Sequence, residues 1–99
     1  MKNIAENITY NSEKANVFQL KKSDKLKYFA VALGKNGVLK KHTAPVPSTL
    51  VVLKGEINFV MENEQLHFRQ FDVYEIPVGV EHEVTGISDE NLFTVAQEL

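Results

Sequence analysis

The chain contains no cysteine, which excludes disulfides, thiolate metal ligands and cysteine nucleophiles together. Any bound metal must therefore be held by histidine, carboxylate or water. No apolar run approaches the roughly 20 residues a membrane-spanning helix needs, and the opening MKNIAENITYNSEK has no secretory hydrophobic region. The expectation is a cytoplasmic protein with no membrane partner. Charge of one sign is scarce as well. The net charge is -2, and the 11 Lys and Arg residues are scattered, apart from Lys21-Lys22 and Lys40-Lys41. Without a basic stripe to follow a phosphate backbone, nucleic acid is not an expected partner. Glycine-rich phosphate loops, internal repeats and low-complexity tracts are absent too, and no stretch of ten or more residues shows capped helical periodicity.

What is present is β-forming sequence. The chain is 99 residues long, 43% hydrophobic and 24% charged, which suits one soluble domain with a single core. From Val17 onward, short runs rich in branched and aromatic residues alternate with turn chemistry at the spacing of an all-β sandwich or barrel. Ser23-Asp24, Gly34-Lys35-Asn36-Gly37, the Pro45 and Pro47 pair, Lys54-Gly55-Glu56 and Glu62-Asn63-Glu64 mark the breaks. Nine or ten strands are expected, with at most one helical turn, placed near Asn11 to Ala15. Residues 1–20 read as an arm or edge strand packing on the barrel or on a partner subunit, and residues 21–99 as the barrel domain. Residues 28–33 and 50–53 are apolar at consecutive positions, so both faces of those strands should be covered. The outer face calls for the N-terminal arm or a second subunit, and a homodimer is the expectation.

The stretch IPVGVEH, residues 76–82, carries a further pattern. Pro77 fixes φ and interrupts strand pairing, while Gly79 admits a φ that residues with a Cβ avoid, so the chain can reverse sharply before His82. Alternation then turns His82 and Val84 inward and Glu81 and Glu83 toward solvent. Upstream, His42 ends a short strand ahead of the most hydrophobic strand of the chain. By the same parity Lys40 goes with His42 and could lend a cation to the pocket mouth, though exposed lysine is the commoner outcome. Tyr74 shares parity with Ile76 and either offers a hydroxyl to a ligand or packs in the core. His67 alternates with Leu66 and Phe68 and faces solvent beside Arg69. Ser48 is a short polar side chain in the barrel wall, with no histidine and acid placed to make it a nucleophile.

These residues resemble the cupins. Pro77, Gly79 and His82 are similar to the second motif of that family, and Gly37, His42 and Gly55 to its first, with the 15 residues 56–70 between them. The resemblance runs from about residue 21 to residue 92 and implies an all-β double-stranded β-helix, the jelly-roll or RmlC-like barrel. In metal-binding members the first motif supplies two histidines and a glutamate and the second one histidine. Here His42 and His82 match, whereas Ala44 stands at the second histidine and Ser48 at the glutamate. Phe71 and Gly86 replace the glycine that opens the second motif and the asparagine that closes it. Two imidazoles hold a divalent ion poorly. A metal on His42 and His82, whether Zn, Mn, Fe or Ni, would be weakly bound. The reading is a small single-domain cupin that binds a small organic molecule in its barrel pocket, with His42, His82, Ser48, Tyr74 and Lys40 as candidate ligand-binding residues and a degenerate metal site. The alternative is a metal-dependent dioxygenase, isomerase or lyase in which a metal on the two histidines and water polarises a substrate oxygen. As a ligand sensor, a third reading, the chain would have to act through a partner.

Overall fold

A computed structural model describes residues 1–99 and contains nine strands: β1 (Asn16–Lys22), β2 (Leu26–Gly34), β3 (Val38–His42), β4 (Ser48–Lys54), β5 (Ile57–Met61), β6 (Glu64–Phe68), β7 (Val73–Ile76), β8 (His82–Gly86) and β9 (Glu90–Glu98). They form two antiparallel sheets, one of five strands in the order β1-β2-β9-β4-β7 and one of four in the order β3-β8-β5-β6. Alternation along each strand sends one set of side chains between the sheets. Val31, Leu33, Leu50, Val52, Ile57, Phe59, Val84 and Phe93 form the centre of that core, each almost wholly shielded from solvent. The expected turns fall where they were placed, including the tight connection at Glu62-Asn63 between β5 and β6. No helix is long and apolar enough to cross a membrane.

The one helical turn is displaced from its expected position. It spans Ala5–Asn7, and residues 12–14 form a bend. The reason is local competition for backbone groups. The Asn11 side chain accepts a hydrogen bond from the Glu13 N–H at 2.7 Å, and the Asn11 carbonyl is taken by the Gly34 N–H at 3.0 Å. A helix capped by Asn11 would keep the first bond but needs that carbonyl for its own first turn, and the crossing of β2 has taken it. Gly34 is required at this crossing because a Cβ would meet the Asn11 carbonyl carbon at 2.8 Å.

The consecutive apolar runs find their second cover inside the chain. Ala30, Ala32 and Leu92 lie on the outer face of the five-stranded sheet, and Ile4, Ile8, Tyr10, Leu20 and Leu53 pack over them. Lys54 sets its ammonium 5.4 Å from the centre of the Tyr10 ring, holding the arm from its free side. This part of the face therefore needs no second subunit to cover it. The strand β1 crosses from residue 20 to residue 21, so arm and barrel are joined through a shared ladder with β2.

Beside the arm's crossing of the sheet, one end of the barrel is closed by the buried side chain of Asn91, near the start of β9. The Asn91 amide donates to the carbonyls of Leu33 at 3.0 Å and Ser88 at 2.7 Å, and its oxygen accepts from the N–H groups of Glu56 at 3.1 Å and Ser88 at 3.0 Å. One residue thereby ties the end of β2 to the β4–β5 and β8–β9 connections. Asn91→Ala is expected to lower unfolding free energy by about 3 kcal/mol, since each buried group left unpaired costs about 1–3 kcal/mol. Urea denaturation measures it, and a loss under about 1 kcal/mol would show that solvent replaces the amide there.

Candidate functional site

The site is assembled by the corner at residues 77–80. Gly79 adopts φ of 78°, and its N–H donates to the Ala44 carbonyl at 2.9 Å. That bond fastens the corner to the loop that follows β3. Strand β8 then starts at His82, which stands directly opposite His42 across the β3–β8 ladder. The two rings meet edge to face with centroids 4.4 Å apart. Behind them the His82 ring stacks on Phe59 at 4.8 Å. His82 is 3% exposed, and Val84 is buried beside it, as the alternation expected. His42 is the outer member of the pair and remains open to solvent.

Strand β3 does not keep its parity, so Lys40 does not share a face with His42. Leu39 pairs with Val84 and His42 with His82, so three steps on β3 match two on β8, the mark of a β-bulge at Lys40-Lys41. Leu39 and His42 consequently both line the interior cavity. Lys40 is left exposed on the outside, and its carbonyl accepts from Nδ1 of His42 at 2.8 Å.

His82 repeats that contact, with Nδ1 3.1 Å from the Val80 carbonyl. Carbonyl oxygens only accept, so Nδ1 carries the proton in both rings and each neutral imidazole keeps its lone pair on Nε2. Burial lowers the pKa of His82 below the usual histidine value; the Val80 hydrogen bond opposes the shift, and the neighbouring His42 adds to it. The pair is thus two hydrogen-bond acceptors, with the inner one resisting protonation.

The cavity behind the pair is narrow. Phe29, Leu50, Phe93 and Val95 wall it together with Phe59 and both histidines, and its free volume is about 20 Å³. That is room for one water. An organic molecule cannot be housed inside the barrel as it stands. The polar group that joins the histidines at this cavity is Gln97, near the end of β9, which sequence reading missed. Its only signal was alternation with Phe93 and Val95. Gln97 donates to Ser48 Oγ at 3.4 Å, while Ser48 itself is buried and donates to the Val46 carbonyl at 3.0 Å. Ser48 therefore holds Gln97 and does not line the cavity. Tyr74 also falls outside it, wedged against Phe59 and Phe68 at 5.3 and 4.9 Å with its hydroxyl 4.0 Å from the Met61 sulfur. Burial, and then the charge of Glu64, raise its pKa. His67 lies on the outside against Glu56 at 2.9 Å.

The donor set does not fit a tightly held metal. No group of three or more His, Asp and Glu side chains is placed to share an ion. Ala44 offers no donor, the Ser48 hydroxyl is committed to a carbonyl, and Glu75 turns outward to accept from Thr49 at 2.6 Å. Glu81 likewise faces Lys41 at the surface, 3.8 Å away.

No protein-family model matches the chain, and no curated protein matches it. Solved structures do. An uncharacterised conserved protein with a double-stranded β-helix domain from Klebsiella pneumoniae subsp. pneumoniae superposes with a TM-score of 0.87 at 12% identity, over 99% of this chain and 88% of that one. The class of architecture is therefore the double-stranded β-helix. An RmlC-like cupin family protein from Methanocaldococcus jannaschii matches with a TM-score of 0.79 at 19% identity, over 85% of this chain and 79% of that one. A cupin superfamily protein from Desulfitobacterium hafniense DCB-2 also gives 0.79, at 13% identity, over 86% and 77% of the two chains. The chain has the cupin fold.

The histidine pair makes a pH prediction. With its folded-state pKa lowered from 6.5, native His82 resists a proton that the unfolded chain accepts. Stability is therefore full above about pH 6.5 and falls as the pH drops through that value toward the lower folded one. Denaturation between pH 5 and 7.5 is expected to show this slope in the native sequence and a flatter one in His82→Phe. Parallel slopes would mean that another group carries the linkage.

Proposed function

We propose that the protein binds a small organic molecule through a hydrogen-bond donor placed at the His42–His82 pair, without a resident metal. One observation carries the reading: two imidazoles in contact at the mouth of an apolar cavity, each with Nδ1 tied to a carbonyl and its accepting nitrogen free of such a bond. The cavity admits one group of about the size of water, so a ligand hydroxyl or amine would replace a water there and the rest of the ligand would stay outside. Phe59 and Phe93 exclude further solvent and strengthen that hydrogen bond.

A second reading, metal-dependent catalysis, is favoured by a different feature of the same geometry. Histidines that ligate metals commonly donate Nδ1–H to a carbonyl and bind through Nε2, as these two could. The count of donors weighs against it. With water filling most of a coordination shell, Zn, Mn or Ni is expected to bind no tighter than about micromolar, roughly −8 kcal/mol. Elemental analysis of protein purified without a histidine tag or chelator is expected to return well under one equivalent of any transition metal. Screening of small alcohols and amines by the imidazole carbon-bound proton signals should move His42 and His82 together, and His42→Ala should abolish the response. A full equivalent of one metal that disappears in His42→Ala would replace ligand binding with the catalytic reading.

A further inference from the structure

We infer that the ligand is a small hydroxylated carboxylate, and that its anionic end lies in the groove between residues 13–15 and the open edge of β3. The inference rests on ligand binding at the histidine pair and adds the chemistry and position of the remainder. The starting point is a mismatch of sizes. The barrel interior holds one water-sized group, whereas the groove just outside has a volume of about 500 Å³, within the roughly 300–1,000 Å³ of small-molecule sites. His42 and Leu39 line both spaces. A ligand that reaches the histidines from outside therefore passes along this groove.

The groove is unequally charged. Lys14, Lys40 and Lys41 line it against the single carboxylate of Glu13. Lys14 and Lys40 enter no ion pair, and the carboxylate nearest Lys41 is Glu81 at 3.8 Å. Strand β3 pairs only with β8, so its other edge has no neighbouring strand. An anion in the groove thus meets ammonium groups together with an unpaired strand edge. The imidazoles at the inner end offer the opposite chemistry, since neutral rings with free lone pairs accept a hydrogen bond and do not attract an anion. A molecule that satisfies both ends carries a carboxylate for the lysines and a hydroxyl for the histidines. Carboxylate is preferred to phosphate because no arginine and no glycine-rich cradle lines the groove. A larger concavity on the other side of Lys41 does not compete. It sets Glu62 and Glu81 against that lysine and contains no histidine.

Three probes separate the parts: L-malate has both groups, succinate lacks the hydroxyl, and glycerol lacks the charge. Each is titrated into the full chain while the imidazole signals of His42 and His82 are followed by NMR. Malate is expected to shift both histidines and to bind at least tenfold more tightly than glycerol, with affinity falling as salt rises. The Lys14→Gln/Lys40→Gln variant changes two exposed side chains and should keep the native amide spectrum. It is expected to lose at least tenfold of malate affinity while its response to glycerol stays the same. Succinate is expected to bind in the groove without moving His82. If glycerol shifts the histidines and malate binds no better, or malate affinity survives the double substitution, the anionic groove is wrong while donor binding at the histidines stands. If none of the probes moves either histidine, both readings fall.

Discussion

The hydrogen bond from the Gly79 N–H to the Ala44 carbonyl is the contact on which the rest of the site depends. It joins two loops far apart in sequence, and only a residue free to take a positive φ can present its N–H there without strain. Once the corner is fixed, β8 has one entry point, the β3–β8 register follows, and His82 has no other position than opposite His42. The aromatic wall then sets the character of the pair. Phe59 lies flat against His82, so the inner imidazole is kept dry and neutral while the outer one meets solvent. A single loop-to-loop bond thus leads through strand register to two histidines of identical hydrogen-bonding pattern and different surroundings.

The core explains why this barrel is so full. In a chain of this length, apolar residues must serve both as hydrophobic core and as cavity wall, and Phe29, Phe59 and Phe93 do both. Filling the centre stabilises the domain and leaves the interior too small for a substrate. The arm solves the complementary problem outside. Ile4, Ile8 and Tyr10 convert the exposed side of β2 and β9 into a second, thin core, which a chain without the arm would present to solvent or to another molecule.

Much of the fold and part of the site were legible in the sequence, for identifiable reasons. Period-two alternation is enforced by burial, so the inward set of His82 and Val84 and the outward His67 were readable from neighbours alone. Pro77 and Gly79 have few uses in a β-rich chain, and their spacing before His82 marked the corner. What was not legible depends on geometry that no local pattern encodes. Lys40 was read as sharing the face of His42, a parity that the bulge breaks. Gln97 reaches the cavity only because β9 lies between β2 and β4, a neighbour relation absent from its own stretch of chain. The cover over Ala30 and Ala32 could have come from the arm or from a second subunit, and residues 4, 8 and 10 settle that only once the arm's path across the sheet is known. Tyr74 had the right parity and the wrong depth: the ring of Phe59 stands between it and His82.

The bulge at Lys40-Lys41 has a consequence for how such a site can change over time. On a regular strand, a side chain's orientation is a property of its position, and replacing its neighbours leaves it in place. Here His42 faces inward because one extra residue has been accommodated between it and Leu39. The orientation at the mouth is thus governed by pairing as well as by position. Loss of a single codon within this stretch would straighten the ladder and leave the imidazole on the face of Leu39, opposite the same partner, because two regular steps end where these three do. In a lineage of such barrels the strand could gain or lose that residue without disarming the site, so odd or even spacing in the sequence is an unreliable marker of which way the histidine faces.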